Sequence, residues 1–283
     1  MKKIAIAIPA SVISDTPHLR EKTAKIGYIG RAAAIFRVNE IIVYPDNPKV
    51  NQKRDIDFIT LLLSYLETPQ YLRKRLFQLQ PELQYAGILP PLRTPHHPSH
   101  GRIRDLKVGE YREGIVQSQV KEGVLLDIGV EQPALLRVRD LPINSRVTAQ
   151  LVQISERRIE AQMIDREDVP DYWGYKVTVE PRSLKAVLCD DRFDLKIATS
   201  KFAPTIQETA KKLSSKWERS ERILVAFGPP ARGLHEIAKD EGLDLNASVD
   251  FVVNTLPSQG TETVRTEEAL IATLAILNAQ FEA

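Results

Sequence analysis

The chain has 283 residues, 43% hydrophobic and 27% charged, with 39 Lys and Arg against 37 Asp and Glu. At about 150 residues per domain this is the length of about two domains, enough to bury a core without disulfides or a structural metal. A single cysteine, Cys189, excludes a disulfide scaffold and a multi-cysteine zinc site and fits a reducing, cytoplasmic setting, while a formal net charge of +2 gives no global pull toward nucleic acid.

The elements follow in chain order. Lys2 and Lys3 precede the apolar run Ile4–Ile8, which stops at Pro9 and reads as a strand, not a signal peptide. No apolar run approaches the roughly 18 residues of a bilayer span, so no membrane association is expected. Pro17 to Val38 reads as a helix, with Pro17 in the first turn and Asp15 or Thr16 as its cap. Glu40 to Tyr44 is a second strand, closed by Pro45-Asp46-Asn47-Pro48. Gln52 to Glu67 has helical periodicity at Ile56, Ile59, Leu63 and Leu66, and Pro69 to Phe77 reads as a further short helix. Alternating strand and helix predict a parallel sheet covered by helices.

The pattern breaks at residues 88–101, where Pro90, Pro91, Pro95 and Pro98 exclude a continuous helix or a central strand. Five short strands follow: Arg112–Val116, Gly123–Ile128, Ala134–Val138, Arg146–Ile154 and Arg158–Ile164. Their spacing suits a small closed barrel of OB type. From Pro181 the alternation resumes, with helices at 182–188, 205–219, 232–239 and 266–281 and strands at 194–198, 222–227 and 250–253. The expected organisation is a split α/β domain, residues 1–90 and 166–283, with a β-barrel inserted at 91–165.

Three segments carry candidate chemistry. In Phe227-Gly228-Pro229-Pro230-Ala231-Arg232-Gly233 an apolar strand ends in a tight loop before a helix, where open α/β sheets place ligands. The phosphate-loop and dinucleotide glycine spacings are absent, and Pro229 and Pro230 have no N–H to offer a phosphate. A stiff, donor-poor loop suits a flat aromatic group such as adenine. The second segment, Asn254 to Glu268, is longer than a connector needs and rich in hydroxyls and amides. Thr266 can cap the helix that follows. That helix is apolar nearly all round (Leu270, Ile271, Leu274, Ile276, Leu277, Phe281), which predicts burial against more than the sheet, a partner subunit or the rest of the chain. The third segment, Gly27 to Phe36, sets Arg31 among Gly30 and Ala32 to Ala34, small residues that admit a close neighbour.

Together these segments resemble the SPOUT class of RNA methyltransferases, and more closely the subfamily with an OB-like barrel inserted in the SPOUT domain. The matching pieces are Tyr28 to Phe36, Leu83-Gln84-Tyr85-Ala86-Gly87 leading through Pro95-His96-His97-Pro98 to Ser99, Tyr111 to Val116, Phe227 to Gly233, and Asn254 to Glu268. The resemblance covers essentially the whole chain. It implies a trefoil-knotted α/β domain, an exception to the rule against knots, and a homodimer joined through the knot helices. It implies S-adenosylmethionine held by Thr199, Ser200, Phe227, Gly228, Pro229, Gly233, Asn254, Leu256, Gln259, Gly260, Thr261 and Val264. Arg31 matches the arginine that many SPOUT members carry in their first motif. Permanently protonated, it would hold a phosphate or stabilise an anionic oxygen. Arg265 can do the same, and Glu262 is the nearest carboxylate for a proton.

For RNA, ribosomal RNA by family analogy, local charge points to Arg73, Lys74, Arg75, Arg93, Arg102 and Arg104, opposed over that stretch by Glu82 alone. Tyr111 is the barrel's one aromatic, so shape and backbone contacts are expected more than base stacking there. His96, His97 and His100 have no cysteine or carboxylate cluster beside them, and no metal is expected. A non-catalytic RNA-binding or ribosome-assembly protein on the same fold is the alternative. A nucleotide-dependent α/β enzyme, disfavoured by the missing phosphate loop, is a third.

Overall fold

The computed structural model describes residues 2–155, 157–229 and 232–281. Chain order is β1 (Lys3–Pro9), α1 (Leu19–Ile35), β2 (Glu40–Tyr44), α2 (Lys53–Glu67), α3 (Gln70–Leu76), β3 (Tyr111–Val120), β4 (Gly123–Asp127), β5 (Ala134–Leu136), β6 (Arg146–Ile154) and β7 (Ile159–Met163). Then come β8 (Lys176–Val179), α4 (Leu184–Leu188), β9 (Leu195–Thr199), α5 (Ile206–Arg219), β10 (Arg222–Ala226), α6 (Leu234–Asp240), α7 (Leu245–Ser248), β11 (Phe251–Val253) and α8 (Thr266–Phe281). The chain forms two compact units, residues 1–64, 82–90 and 175–283 in one and residues 65–81 and 91–174 in the other. Residues 65–81 and 166–174 therefore group with the barrel.

The first unit is built on a six-stranded sheet ordered β11-β9-β10-β1-β2-β8. Every pairing in it is parallel. Its strands are apolar on both faces, as a doubly covered parallel sheet requires. Ala5, Ala7, Ile42, Tyr44, Ala198, Leu224 and Ala226 pack with Leu184, Val187, Leu188, Leu234, Ile237 and Leu245 from α4, α6 and α7. The alternate positions Ile6, Ile8, Ile41, Val43, Ile197, Ile223 and Val225 are equally buried and point to the opposite face.

Two features at the edges of helices depart from expectation. The chain makes a 3-10 turn at Ala10–Ile13, so α1 begins at Leu19 with His18 in the capping position and no side-chain cap. Neither Asp15 nor Thr16 caps it, because Asp15 instead receives the buried Lys25 ammonium at 2.6 Å. Lys25 also lies 3.4 Å from Glu267 of α8, which ties the two helices together. Thr266 is likewise not a cap. It is the first residue of α8, and its hydroxyl donates to the Gly228 carbonyl at 2.9 Å. Within the chain α8 buries Leu270, Thr273, Leu274 and Leu277, packs against α1 and α5, and stacks Phe281 on Trp217 at 5.2 Å. β8 and α7 were not legible in the pattern; they are four residues each.

The second unit contains a closed barrel ordered β3-β4-β5-β7-β6, antiparallel except for β5 against β7. That order matches the OB-type expectation. Its core is aliphatic, with Val116, Val124, Leu126, Ile128, Leu136, Leu151 and Ile159 at the centre. The two long strands β3 and β6 each carry a register shift, at Val116/Ser118 and Leu151/Gln153, which lets them bend enough to close the barrel. Gly123 opens β4 at φ +149°, where a Cβ would lie 2.1 Å from the Leu136 carbonyl oxygen, so only glycine fits.

Beside the barrel the same unit buries a polar cluster. Arg146 on β6 donates to Glu67 at 2.7 and 3.2 Å and to Glu113 through Nε. Glu67 also receives Arg166 at 2.6 Å, and His96 Nε2 lies 3.2 Å from its carboxylate. Glu113 receives Thr148 at 2.8 Å and the Trp173 indole N–H. Burial works to raise the Glu67 pKa, but Arg146, His96 and Arg166 outweigh it and hold the carboxyl well below its ordinary value. His97, whose Nε2 lies 2.7 Å from the Glu67 carbonyl oxygen, is pushed down to about 4 by burial and by neighbouring His96.

Candidate methyl-donor site

A cavity of about 340 Å³ opens beyond the carboxyl ends of β9, β10 and β11. Residues of three loops line it: 199–202 after β9, 227–229 and 232–233 after β10, and 253–256, 259, 263, 264 and 266 after β11. This is where a parallel α/β sheet presents a ligand, because the strand ends leave backbone groups and space together. Of the residues singled out for a cofactor, Thr199, Ser200, Phe227, Gly228, Pro229, Gly233, Asn254, Leu256, Gln259 and Val264 line it. Gly260 and Thr261 are not on its wall. Pro230, half of the donor-poor proline pair, lies outside the described residues.

The loops are held by hydrogen bonds drawn from their own polar side chains. Asn254 is the principal brace. Its amide Nδ2 donates to the Lys201 carbonyl at 2.9 Å and its Oδ1 accepts from Leu256 N at 2.9 Å. Its backbone N–H donates to Pro204 and its carbonyl accepts from Ile206 N. The Thr199 hydroxyl donates to the Ala226 carbonyl at 3.2 Å. Gln259 Nε2 donates to the Thr261 and Glu262 carbonyls. Tyr44, buried at the end of β2, donates to the Phe227 carbonyl at 2.7 Å, and its burial raises the phenol pKa so that the hydroxyl stays a donor. Asn254, Thr199 and Gln259 therefore shape the loops first, and the ligand-facing chemistry falls to other groups.

Those groups are apolar walls, charged rims and one open glycine. Leu256 and Val264 offer apolar surface, Phe227 borders the cavity with its side chain buried, and Lys201, Arg232 and Glu236 bring charge of both signs. Arg232 pairs with Glu236 at 2.8 Å and Asp240 at 2.6 Å. Gly233 has φ −77°, and among the described residues nothing lies within 4 Å of where its Cβ would stand. Neither the backbone conformation nor packing by the described residues demands glycine there, and its absent side chain leaves the backbone open to a ligand. The cavity thus fits a group with an aromatic base, an ammonium and a carboxylate. Lys201, Phe202, Arg232, Glu236, Thr255, Thr263, Thr266 and Ala269 also line it and were not singled out from the sequence. Lys201 and Phe202 directly follow Ser200, so extending that loop by two residues was the available signal.

The three catalytic candidates lie elsewhere. Arg31, half-buried on α1, is not on the cavity wall of its own chain. It shares one face of α1 with Tyr28 and Ile35, which are 59% and 55% exposed. Glu262 and Arg265 are exposed on the loop that carries Thr263 and Val264, but neither lines the cavity. The Glu262 carbonyl accepts from Lys201 Nζ at 3.0 Å.

The basic band lies in the barrel unit. Lys74, Arg75, Arg93, Arg102 and Arg104 are exposed, with Arg75 3.1 Å from Asp127. Arg73 turns inward: its guanidinium donates to the Thr68 and Leu66 carbonyls and covers the Tyr65 ring. Among the described residues no group of His, Cys, Asp and Glu has the arrangement of a metal site, and no helix is long and apolar enough to cross a membrane.

Comparison with known proteins agrees with this geometry. A family described as "Putative RNA methyltransferase" matches residues 3–277. A Haloarcula marismortui protein, named only as uncharacterized, is 34% identical over 96% of this chain and 98% of its own length. A 28S rRNA (uridine-N(3))-methyltransferase from Drosophila melanogaster is 31% identical over 99% of this chain and 62% of its own length. The Homo sapiens protein of the same name is 30% identical over 97% of this chain and 77% of its own. The chain belongs to this family of RNA methyltransferases, and its fold is the family's α/β domain with an inserted barrel.

Proposed function

We propose that the chain transfers a methyl group from S-adenosylmethionine to N3 of a uridine in large-subunit ribosomal RNA. Donor binding is carried by the 340 Å³ cavity at the ends of three parallel strands, lined by the loops that the family resemblance assigns to the donor, and the acceptor is the one in the names of the Drosophila and human relatives. When bound, S-adenosylmethionine supplies a methyl group already activated on a sulfonium. The protein's tasks are then to hold donor and acceptor in line and to ease loss of the N3 proton. Leu256 and Val264 would hold the adenine, and Arg232 and Glu236 would meet the charged end of the donor. Gly233 lets the donor reach the backbone.

Within one chain Arg31 does not line this cavity. The face of α1 that carries Arg31 is flanked by exposed Tyr28 and Ile35, and Ile271 on the neighbouring α8 is 43% exposed. These apolar side chains support a homodimer in which α1 and α8 meet their counterparts and each Arg31 reaches the partner's cavity. There it stabilises negative charge on the uracil as N3 gives up its proton. Arg265 is the second cation and Glu262 the candidate acceptor of the proton. The knotted path of the chain through the three loops belongs to the same proposal. Lys74, Arg75, Arg93, Arg102 and Arg104 follow the RNA backbone, while Arg73 supports the end of α2.

The test uses labelled S-adenosylmethionine and deproteinised large-subunit RNA lacking the modification, followed by nucleoside mass spectrometry. The expected product is 3-methyluridine. Arg31→Ala is expected to abolish methylation while donor binding and folding persist. Activity within a few-fold of wild type removes Arg31 from the mechanism.

A further inference from the structure

Phe202 is 85% exposed, yet it stands on the wall of the cavity assigned to the methyl donor. Among the described residues the exposed large hydrophobics include only one other aromatic, Tyr28 on α1. A phenyl ring left in water is unfavourable, and a slack loop would let it fold back onto apolar surface. This loop is not slack. Asn254 holds it from both sides, through its amide to the Lys201 carbonyl and its backbone N–H to the Pro204 carbonyl. Ser200 N donates to Val253, Ala203 N donates to Ser200, and Phe202 N donates to the Ser200 hydroxyl at 3.3 Å. The loop backbone that carries the ring is therefore held at the cavity. Lys201 Nζ sits 5.0 Å above one of its faces while donating to the Glu262 carbonyl. The ammonium occupies that face and leaves the opposite one for a ligand.

We infer that Phe202 is the stacking platform for the acceptor nucleobase, a subsite separate from the donor slot bordered by Leu256 and Val264. This inference rests on the methyltransferase function proposed above and names how the substrate is held. A base methylated at an edge nitrogen must leave its stack to bring that edge to the donor. An aromatic face at the cavity mouth replaces the lost stacking, and the Lys201 ammonium gives the same rim a contact for the phosphate beside the flipped nucleotide. Phe202 acts here as a positioning residue, with no part in proton transfer.

The experiment compares wild type, Phe202→Ala, Phe202→Leu and Phe202→Trp, each as the full chain. S-adenosylmethionine binding is measured by calorimetry and methyl transfer to deproteinised large-subunit RNA under single- and multiple-turnover conditions. The expected result is donor affinity within about twofold of wild type in all four proteins. Transfer efficiency falls about 10- to 100-fold in Phe202→Ala, stays low in Phe202→Leu and recovers to within a few-fold in Phe202→Trp. Equal recovery by leucine overturns the stacking role, as does transfer by Phe202→Ala within threefold of wild type. Donor binding weakened tenfold or more in Phe202→Ala also overturns it, because the ring is then part of the donor slot. A wild-type protein that binds no donor and methylates nothing overturns the proposed function itself, an outcome distinct from these.

Discussion

The cavity beyond β9, β10 and β11 and the buried cluster around Glu67 and Glu113 both gather polar residues from distant parts of the chain, and they use them in opposite ways. In the cluster every group is answered. Arg146 bridges both carboxylates, Arg166 and His96 meet Glu67, and Thr148 and Trp173 complete Glu113. Nothing is left over for a ligand. At the cavity, Asn254, Thr199 and Gln259 are used to set the loops, and what remains is empty volume, an open glycine and an aromatic ring facing water. A structural network is recognised by saturation and a binding site by what its scaffold leaves unanswered.

That contrast can be broken from either side. The largest effect is expected at the saturated cluster. Glu67→Gln removes the charge that meets Arg146 and Arg166 and leaves two guanidiniums short of a partner. It should destabilise the barrel unit by about 3–5 kcal/mol. Denaturant unfolding with a barrel probe measures this, and donor binding by the remaining folded protein should be unchanged. At the unsaturated site the expected pattern is reversed. Gly233→Val fits the φ of −77°, so the thermal midpoint should move by only a few degrees. The added isopropyl group stands in the cavity, and donor affinity should fall about 100-fold or more, as steric overlap in a fitted site demands.

A smaller effect comes from His97. Its pKa is about 4 in the folded protein against an ordinary 6.5, so the unfolded chain binds more protons between those values. The contribution is complete above 6.5 and is lost as pH falls toward 4. Lowering the pH from about 7.5 to about 5 should cost the barrel unit about 2 kcal/mol. Glu67 adds little in that window, which lies above its ordinary value of 4.5; its contribution is lost below that, as pH falls toward its depressed value in the folded protein. Melting curves at the two pH values check this, and His97→Gln should flatten the difference.

What was legible in the sequence follows the same division. The strands of the parallel sheet and of the barrel are continuous or alternating apolar runs, and their burial is what periodicity reports. The cavity loops were legible because each follows such a run and carries residues that a plain connector does not need. Asn254 was visible as a polar residue in the right loop, but its role as a brace depends on carbonyls of Lys201 and Pro204 that no local pattern reveals. The Glu67 cluster was invisible for the same reason. Its members come from positions 67, 96, 113, 146, 148, 166 and 173, and each charged one alone resembles an ordinary surface residue. Nothing in the local pattern marks Phe202; what sets it apart is its exposure, which only the structure gives.

The most direct test of the central claim is calorimetric titration of wild type and Gly233→Val with S-adenosylmethionine and S-adenosylhomocysteine, with the mass in solution determined alongside. The account predicts one site per chain in a wild-type dimer, and a folded, dimeric variant that binds neither ligand. Equal binding by both proteins would place the donor outside this cavity, and a well-folded wild type that binds neither ligand, with or without RNA, would contradict the assignment.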